Sequence, residues 1–234
     1  MSVRTASLRV VRWLLAVLIV LLLLPYLLVP IYLVVDPVST LMLGRWLTGA
    51  RVERVWVPLR EMAPPLPLAV IAAEDGQFCR HHGVDARGLR EAIEEVEDLS
   101  ELSELRGGST ITQQTAKNLF LWPARSLVRK ALELPLALWI DLVMPKRRIM
   151  EIYLNIAEWG PNGQFGAEAG ARFAFGKSAR DVRAPEAALL AAILPNPKRR
   201  SARQPSPSVR RLAAIYAARA ARLGPLAQCL HQRS

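Results

Sequence analysis

The 234-residue sequence has few of the residues from which proteins build metal centres. It contains only two cysteines, Cys79 and Cys229, and three histidines. No CxxC pair, HExxH motif or Cys/His cluster is present, which argues against a zinc cage built by the protein alone. Two cysteines allow at most one disulfide bond, and the sequence leaves open whether they pair. Internal repeats and a convincing series of alternating strands are also missing, so we expect a mainly α fold.

A long apolar run lies near the N-terminus, where residues 13–35 include no charged side chain. A helix of this length spans a hydrocarbon layer about 30 Å thick. Pro25 and Pro30 would kink it, which membranes tolerate. The run is too long for a cleaved signal peptide, and three arginines precede it. We therefore predict an uncleaved transmembrane helix at 13–35, a cytoplasmic basic arm at 1–12, and the remaining chain outside.

Positive charge is plentiful but is concentrated at the two ends of the chain. Three basic residues precede the apolar run, and eight lie between residues 198 and 222, while neither stretch contains an acid. Residues 36–197 carry 19 basic and 20 acidic side chains, so they are nearly neutral. Because the chain is expected to be tied to a bilayer, anionic headgroups and diphosphates are closer partners than nucleic acid, which we do not expect it to bind.

Three regions follow the predicted transmembrane helix. Prolines among short apolar pieces predict an extended connector at 36–66. Helical periodicity dominates residues 67–200, where we place the main domain, and residues 201–234 are expected to form a basic helical tail. Within the main domain, residues 91–104 carry seven acids and predict a solvated acidic face.

Two glutamates are candidate catalytic carboxylates. Glu74 ends the apolar stretch LAVIAAE, where partial burial would raise its pKa toward that of a general acid or base. Glu133 lies in a predicted helix, on the same face as Lys130. Each also has an ordinary explanation, because Glu74 could be a structural glutamate and Glu133 half of a surface ion pair. Spacing alone does not separate these alternatives.

Cations near Glu133 favour transfer of a sugar from a diphosphate. They are Lys117, Arg125, Arg129 and Lys130. The loop before them, RGGSTITQQ, runs into a helix with hydroxyl groups at its cap. Cations and helix N-terminal amides stabilise the negative charge that develops on a diphosphate leaving group. A simple glycoside hydrolase needs two carboxylates but has no use for several cations beside them.

Several ordered motifs resemble the biosynthetic peptidoglycan glycosyltransferases, specifically the monofunctional membrane-bound type. E-x3-F-x2-H-x-G stands at residues 74–83, G-x-S-T-I-T-Q-Q at 107–114, R-K-x-x-E at 129–133 and R-R-I-x-E-x-Y-L-N at 147–155. The resemblance covers roughly residues 60–200. Two positions depart from the pattern: Asp141 replaces an expected glutamate, and Phe-Ala-Phe at 173–175 replaces a stretch with tyrosine.

The resemblance implies a lysozyme-like helical domain in which Glu74 is the general base on the acceptor hydroxyl. Glu133 would hold the donor diphosphate, directly or through a divalent cation (Mg²⁺ or Mn²⁺). Further substrate-binding residues are implied at Ser109, Thr110, Gln113, Gln114, Lys117, Arg125 and Lys130. His81, the motif histidine, is expected to be structural, and His82 to be exposed.

The implied reaction polymerises a lipid-linked disaccharide-peptide, lipid II, into β-1,4 glycan strands with inversion and releases polyprenyl diphosphate. We expect it at the outer face of the bacterial inner membrane, with cell-wall synthesis or division proteins as partners. A transpeptidase is not expected, because no stretch is long enough for a second catalytic domain. The alternatives are a lytic transglycosylase or lysozyme-like hydrolase, and an anchored scaffold without catalysis.

Overall fold

The computed structural model describes residues 3–86, 88, 90, 108–124 and 126–231. The acidic stretch 91–104 and Arg125 lie outside these residues. Nine α-helices occur in the described ranges: α1 Val3–Ile31, α2 Thr40–Leu47, α3 Pro65–Glu74, α4 Ile111–Phe120, α5 Leu127–Val143, α6 Lys146–Ile156, α7 Ala167–Phe175, α8 Ala184–Ile193 and α9 Pro207–Leu223. Strands β1 (Glu53–Arg54) and β2 (Gln164–Phe165) form one short parallel pair. The predicted mainly α fold is confirmed.

Helix α1 contains the apolar run. Its stretch from Arg9 to Ile31 is long and apolar enough to cross a membrane, with a mean hydropathy of 3.0. Most of its described side chains are exposed, as expected for a helix that meets lipid. Its main contact is with α5, where the Trp139 indole donates a hydrogen bond to the Tyr26 carbonyl at 3.1 Å. The helix is thus compatible with a membrane anchor.

The chain that leaves α1 is fastened to helix α6 by Arg148. Its guanidinium donates hydrogen bonds to the carbonyls of Tyr32 at 2.9 Å and Val35 at 2.8 Å. It also forms an ion pair with Asp36 at 3.1 Å. These bonds satisfy carbonyls that have no helical partner beyond the end of α1. The junction between α1 and the domain is therefore part of the packed structure.

The predicted extended connector is only partly right, because it contains helix α2. The Ser39 side chain caps this helix by accepting a hydrogen bond from the Met42 amide at 3.2 Å. Met42 is fully buried, and the Thr40 hydroxyl donates to the Leu121 carbonyl at 2.6 Å. Capping and burial thus outweigh the proline-rich context, which does shape the extended backbone around β1.

Two groups of helices surround the core. Helices α3, α8 and α9 pack against one another, and α4 packs against α5 and α6. The largest fully buried side chains include Trp159, Tyr153, Phe78 and Phe165. Burying a side chain of this size stabilises the fold by roughly 1.5–3 kcal/mol. The two groups meet at the C-terminal end of α3, where the Ile111 amide at the start of α4 donates a hydrogen bond to Asp75.

The C-terminal segment is joined to this core. Helix α9 buries Val209 and Ala213, and Leu230 is buried in the last 3-10 turn, Gln228–Leu230. Cys79 and Cys229 form a disulfide bond across 150 residues of sequence. The structure thus settles the pairing that the sequence left open. The domain boundaries at 66/67 and 200/201 stay predictions.

Candidate active site

Helix α3 carries Glu74 to the edge of the core. The helix starts with prolines, which suit its first turn, and buries Leu66, Val70 and Ile71. It ends at Glu74 because the next residue, Asp75, adopts an extended backbone with φ −163°. An apolar helix that stops at a carboxylate places that group where the core meets a cavity. Glu74 is accordingly half-buried.

Gln114 and Tyr153 hold the Glu74 carboxylate in place. The Gln114 amide nitrogen donates to Glu74 Oε2 at 2.8 Å, and the Tyr153 hydroxyl donates to Gln114 Oε1 at 3.1 Å. Burial raises the pKa of the Tyr153 phenol well above its usual value, so it stays protonated. A protonated Tyr153 occupies the amide oxygen and leaves the NH₂ group of Gln114 facing Glu74.

Burial raises the pKa of Glu74, as the sequence predicted. Three groups oppose this increase because they stabilise the ionised carboxylate: the Gln114 hydrogen bond and the positive charges of Lys117 and Arg200. The adjacent Asp75 carboxylate adds to the increase. Desolvation is the largest effect, so Glu74 is more basic than an exposed glutamate and better matched to accepting a proton.

Asp75 lies beside Glu74 but serves the fold. Its carboxylate accepts hydrogen bonds from the Ile111 amide at 2.9 Å and from His81 Nε2 at 2.9 Å. Its side chain is 4% exposed. It thereby fixes the start of α4 against the end of α3. The structural contact expected of His81 is confirmed, and His82 is exposed as predicted.

Sequence reasoning assigned Asp75 no role, although it forms a carboxylate pair with the Glu74 candidate. Its contact with the start of α4 joins residues 36 positions apart, which local patterns do not predict.

Thr110 and Gln113 form a capping box at the start of α4. The Thr110 hydroxyl accepts from the Gln113 amide at 3.1 Å, and Gln113 Oε1 accepts from the Thr110 amide at 2.8 Å. Thr110 also donates to the Gly83 carbonyl at 2.6 Å. Both side chains are buried by these contacts, so their observed partners belong to the protein. Ser109 is more open.

A cavity of about 500 Å³ extends from Glu74. Its wall joins the end of α3, the start of α4 and the end of α9. Its polar and charged lining residues are Glu74, Asp75, Gln77, Asp85, Ser109, Thr110, Arg219 and Arg222. The structure therefore brings Glu74, Ser109 and Thr110 together as predicted. The two tail arginines were not predicted to lie here.

Glu133 is a buried residue of helix α5. It is 3% exposed on α5 and forms an ion pair with Arg129, one turn earlier, where a surface pair with Lys130 was the simple alternative. Glu133 is not among the described residues that line the Glu74 cavity, and its role at the diphosphate stays a prediction. Burial, and then the charge of Arg129, lower the pKa of Lys130. The link to Glu74 runs through α4, which bonds Glu74 through Gln114 and packs against α5.

A mainly helical domain with a desolvated glutamate at the wall of a cleft is typical of the lysozyme-like enzymes that act on glycans. Residues 41–220 match the model of the Transglycosylase family. A protein of Rhodopseudomonas palustris (strain TIE-1), named biosynthetic peptidoglycan transglycosylase, is 62% identical over 94% of this chain and 92% of its own length.

Proteins with the same name show similar agreement in other bacteria. One from Nitrobacter winogradskyi is 64% identical over 86% of this chain and 87% of its own length. Another, from Rhizobium meliloti, is 50% identical over 90% of this chain and 88% of its own length. The chain therefore belongs to the transglycosylase family.

Proposed function

We propose that this chain is a peptidoglycan glycosyltransferase that polymerises lipid II into β-1,4 glycan strands and releases polyprenyl diphosphate. The observation that carries the assignment to Glu74 is its desolvated carboxylate, held by Gln114 at the wall of a cavity large enough for sugar rings. Family membership supports the reaction class.

In the proposed reaction, Glu74 takes the proton from the 4-hydroxyl of one lipid-linked disaccharide. The oxygen attacks the anomeric carbon of the growing chain, a C–O bond forms, and the bond to the diphosphate breaks with inversion. Two electrons leave with the diphosphate oxygen, where negative charge develops. The protonated Glu74 later returns its proton to solvent. Its raised pKa supports this role because a stronger base accepts the proton more readily.

The cations on α4 and α5 are proposed to hold the departing diphosphate. Lys117 lies close enough to influence Glu74 electrostatically, and Lys130 lies on α5 beside Arg129. Arg125 belongs to the same proposed set on its sequence position. Because Glu133 is buried against Arg129, we assign it to orienting that guanidinium rather than to transferring a proton.

A divalent cation at the diphosphate stays a proposal. Within the described ranges, no group of three or more His, Cys, Asp or Glu side chains could hold a metal ion. Mg²⁺ at phosphate substrates often takes only one or two carboxylates and completes its coordination with phosphate oxygens and water. Glu133 would be the protein ligand in that case, although Arg129 already neutralises it. When bound, the ion would neutralise charge on the diphosphate.

We further propose that α1 anchors the protein in the bacterial inner membrane, with the N-terminus in the cytoplasm and the catalytic domain outside. The apolar stretch Arg9–Ile31 and the arginines before it support this topology. The Cys79–Cys229 disulfide supports it independently, because such bonds persist in oxidising compartments outside the cytoplasm. Cell-wall synthesis or division proteins are the proposed partners.

The test is polymerisation of purified lipid II by the full chain, with product length read on gels. Glu74→Gln should lower kcat by at least about a hundredfold, since a general base contributes roughly 10² to 10⁴. Glu133→Gln should also reduce activity, whereas Glu61→Gln, a change at an exposed ion pair, should not.

Shortening of preformed strands without polymerisation would indicate a hydrolase. Undiminished polymerisation by folded Glu74→Gln would remove Glu74 from the mechanism, and a folded wild type without activity would favour the scaffold.

A further inference from the structure

Two arginines of the basic tail lie in the wall of the Glu74 cavity. Arg219 and Arg222 stand one turn apart near the end of α9, and both are exposed to the cavity. Within the ranges that the structure describes, neither guanidinium has an ion-pair or hydrogen-bond partner. The cavity wall also carries the carboxylates of Glu74, Asp75 and Asp85, but Asp75 is bonded to His81 and Ile111, so two guanidinium groups without a described partner give this end of the cavity capacity for an anion.

This wall is fixed in position by packing. Helix α9 makes extensive contacts with α3 and α8. The chain after it buries Ala227 and Leu230 and is joined through the disulfide to the residue five positions after Glu74. The arginines are thereby presented on an element that is anchored on both sides of them. A preorganised cation loses less freedom on binding than one on a loose tail.

The two arginines are distinct from the cations that stabilise the ionised form of Glu74. The positive charges that lower the pKa of Glu74 are those of Lys117 and Arg200. We therefore look for the role of the pair in direct contact with substrate, which their place in the cavity wall allows. The C-terminal end of a helix attracts cations by itself. The alternative is therefore that the two arginines only stabilise α9, and a test must distinguish this from substrate binding.

We propose that Arg219 and Arg222 bind an anionic group of the substrate, either the diphosphate or a carboxylate of the peptide, in the cavity that holds Glu74. Guanidinium groups suit both ligands, because their paired N–H donors match carboxylate and phosphate oxygens. This inference rests on the proposed function, since it assumes that the cavity receives a lipid-linked disaccharide-peptide. It adds substrate-binding residues outside the motifs that the sequence singled out.

The experiment compares the double variant Arg219→Ala/Arg222→Ala with Arg211→Ala in the full chain. Arg211 is an exposed arginine on the same helix, roughly 16 Å along the axis from Arg222, and does not line the cavity. The double variant should raise KM for lipid II about tenfold or more, with kcat changed less than about threefold. Its acidic pH limb should coincide with that of the wild type. Replacement of the pair by lysine should restore part of the affinity.

A second substrate identifies the anion. The wild type and the double variant are compared on a lipid-linked disaccharide that lacks the peptide. If their KM values become equal on this substrate, the pair binds peptide carboxylates. If the KM difference persists, the pair binds the diphosphate.

An active wild type with equal KM in the double variant and Arg211→Ala overturns the inference alone. A lowered melting temperature with no KM change likewise reduces the arginines to structural residues. Absence of polymerisation by the folded wild type overturns the proposed function instead.

Discussion

The Cys79–Cys229 disulfide should contribute a large part of the stability of this domain. The bond closes a loop of 150 residues. Loop-closure entropy in the unfolded chain then predicts a loss of about 5 kcal/mol when the bond is removed. For a chain of this size, each kcal/mol moves the melting temperature by roughly 2–4 °C, so the expected decrease is about 10–20 °C. The decrease is an upper figure if the unfolded chain keeps residual structure.

Thermal unfolding followed by circular dichroism tests this prediction. The wild type and the Cys79→Ser/Cys229→Ser variant are each melted with and without reductant. Reductant should lower the wild-type melting temperature to that of the variant and leave the variant unchanged. Equal melting of oxidised wild type and variant would refute the entropic reasoning. A reductant effect of equal size in the variant would show that the bond is not its cause.

Three further predictions concern Glu74 and Gly83. Gln114→Leu removes a hydrogen bond that lowers the pKa of Glu74, so the acidic limb of the kcat/KM profile should move to higher pH; an unmoved limb would exclude Glu74 as the titrating group. Glu74→Gln should increase the free energy of unfolding at neutral pH. A carboxyl whose pKa is raised in the folded state stabilises the fold below its unfolded pKa and loses that stability as pH rises through the folded pKa. Glutamine stays uncharged at every pH, so denaturant titrations should show the variant to be more stable than the wild type at neutral pH but not in acid. Gly83→Ala should cost about 2–4 kcal/mol, because Gly83 has φ +82° and a Cβ there would lie 2.5 Å from the Ala137 carbonyl oxygen; Gly76→Ala, which has open space, is the matched control, and equal unfolding midpoints would contradict the argument.

Much of the site was predictable because its signals are local in sequence. An apolar stretch ending in a carboxylate predicted that Glu74 is partly buried and that burial raises its pKa, and the environment of Glu74 in the structure agrees. Hydroxyl groups before an amphipathic run predicted the start of α4, where Thr110 and Gln113 form the capping box. The apolar run at 13–35 likewise predicted helix α1, whose backbone ends at Ile31 and continues in turns.

The parts that sequence reasoning missed depend on how distant elements pack. Arg219 follows Glu74 by well over a hundred residues, and helical periodicity does not say where α9 docks. Spacings of three and four residues both allow an ion pair on a helix, so periodicity alone does not single out Arg129 as a partner of Glu133. Helix α2 escaped prediction because it depends on tertiary contacts, namely the burial of Met42 and the hydrogen bond from Thr40 to the Leu121 carbonyl.

Arg148 gives the proposed membrane anchor a mechanical role. Its hydrogen bonds to the carbonyls of Tyr32 and Val35 fix the segment between α1 and the domain, so the domain would not rotate freely above the lipid surface. The opening of the Glu74 cavity would then keep a nearly constant height and orientation above the bilayer. A lipid-linked substrate moving in the plane of the bilayer would then meet a cleft of fixed orientation.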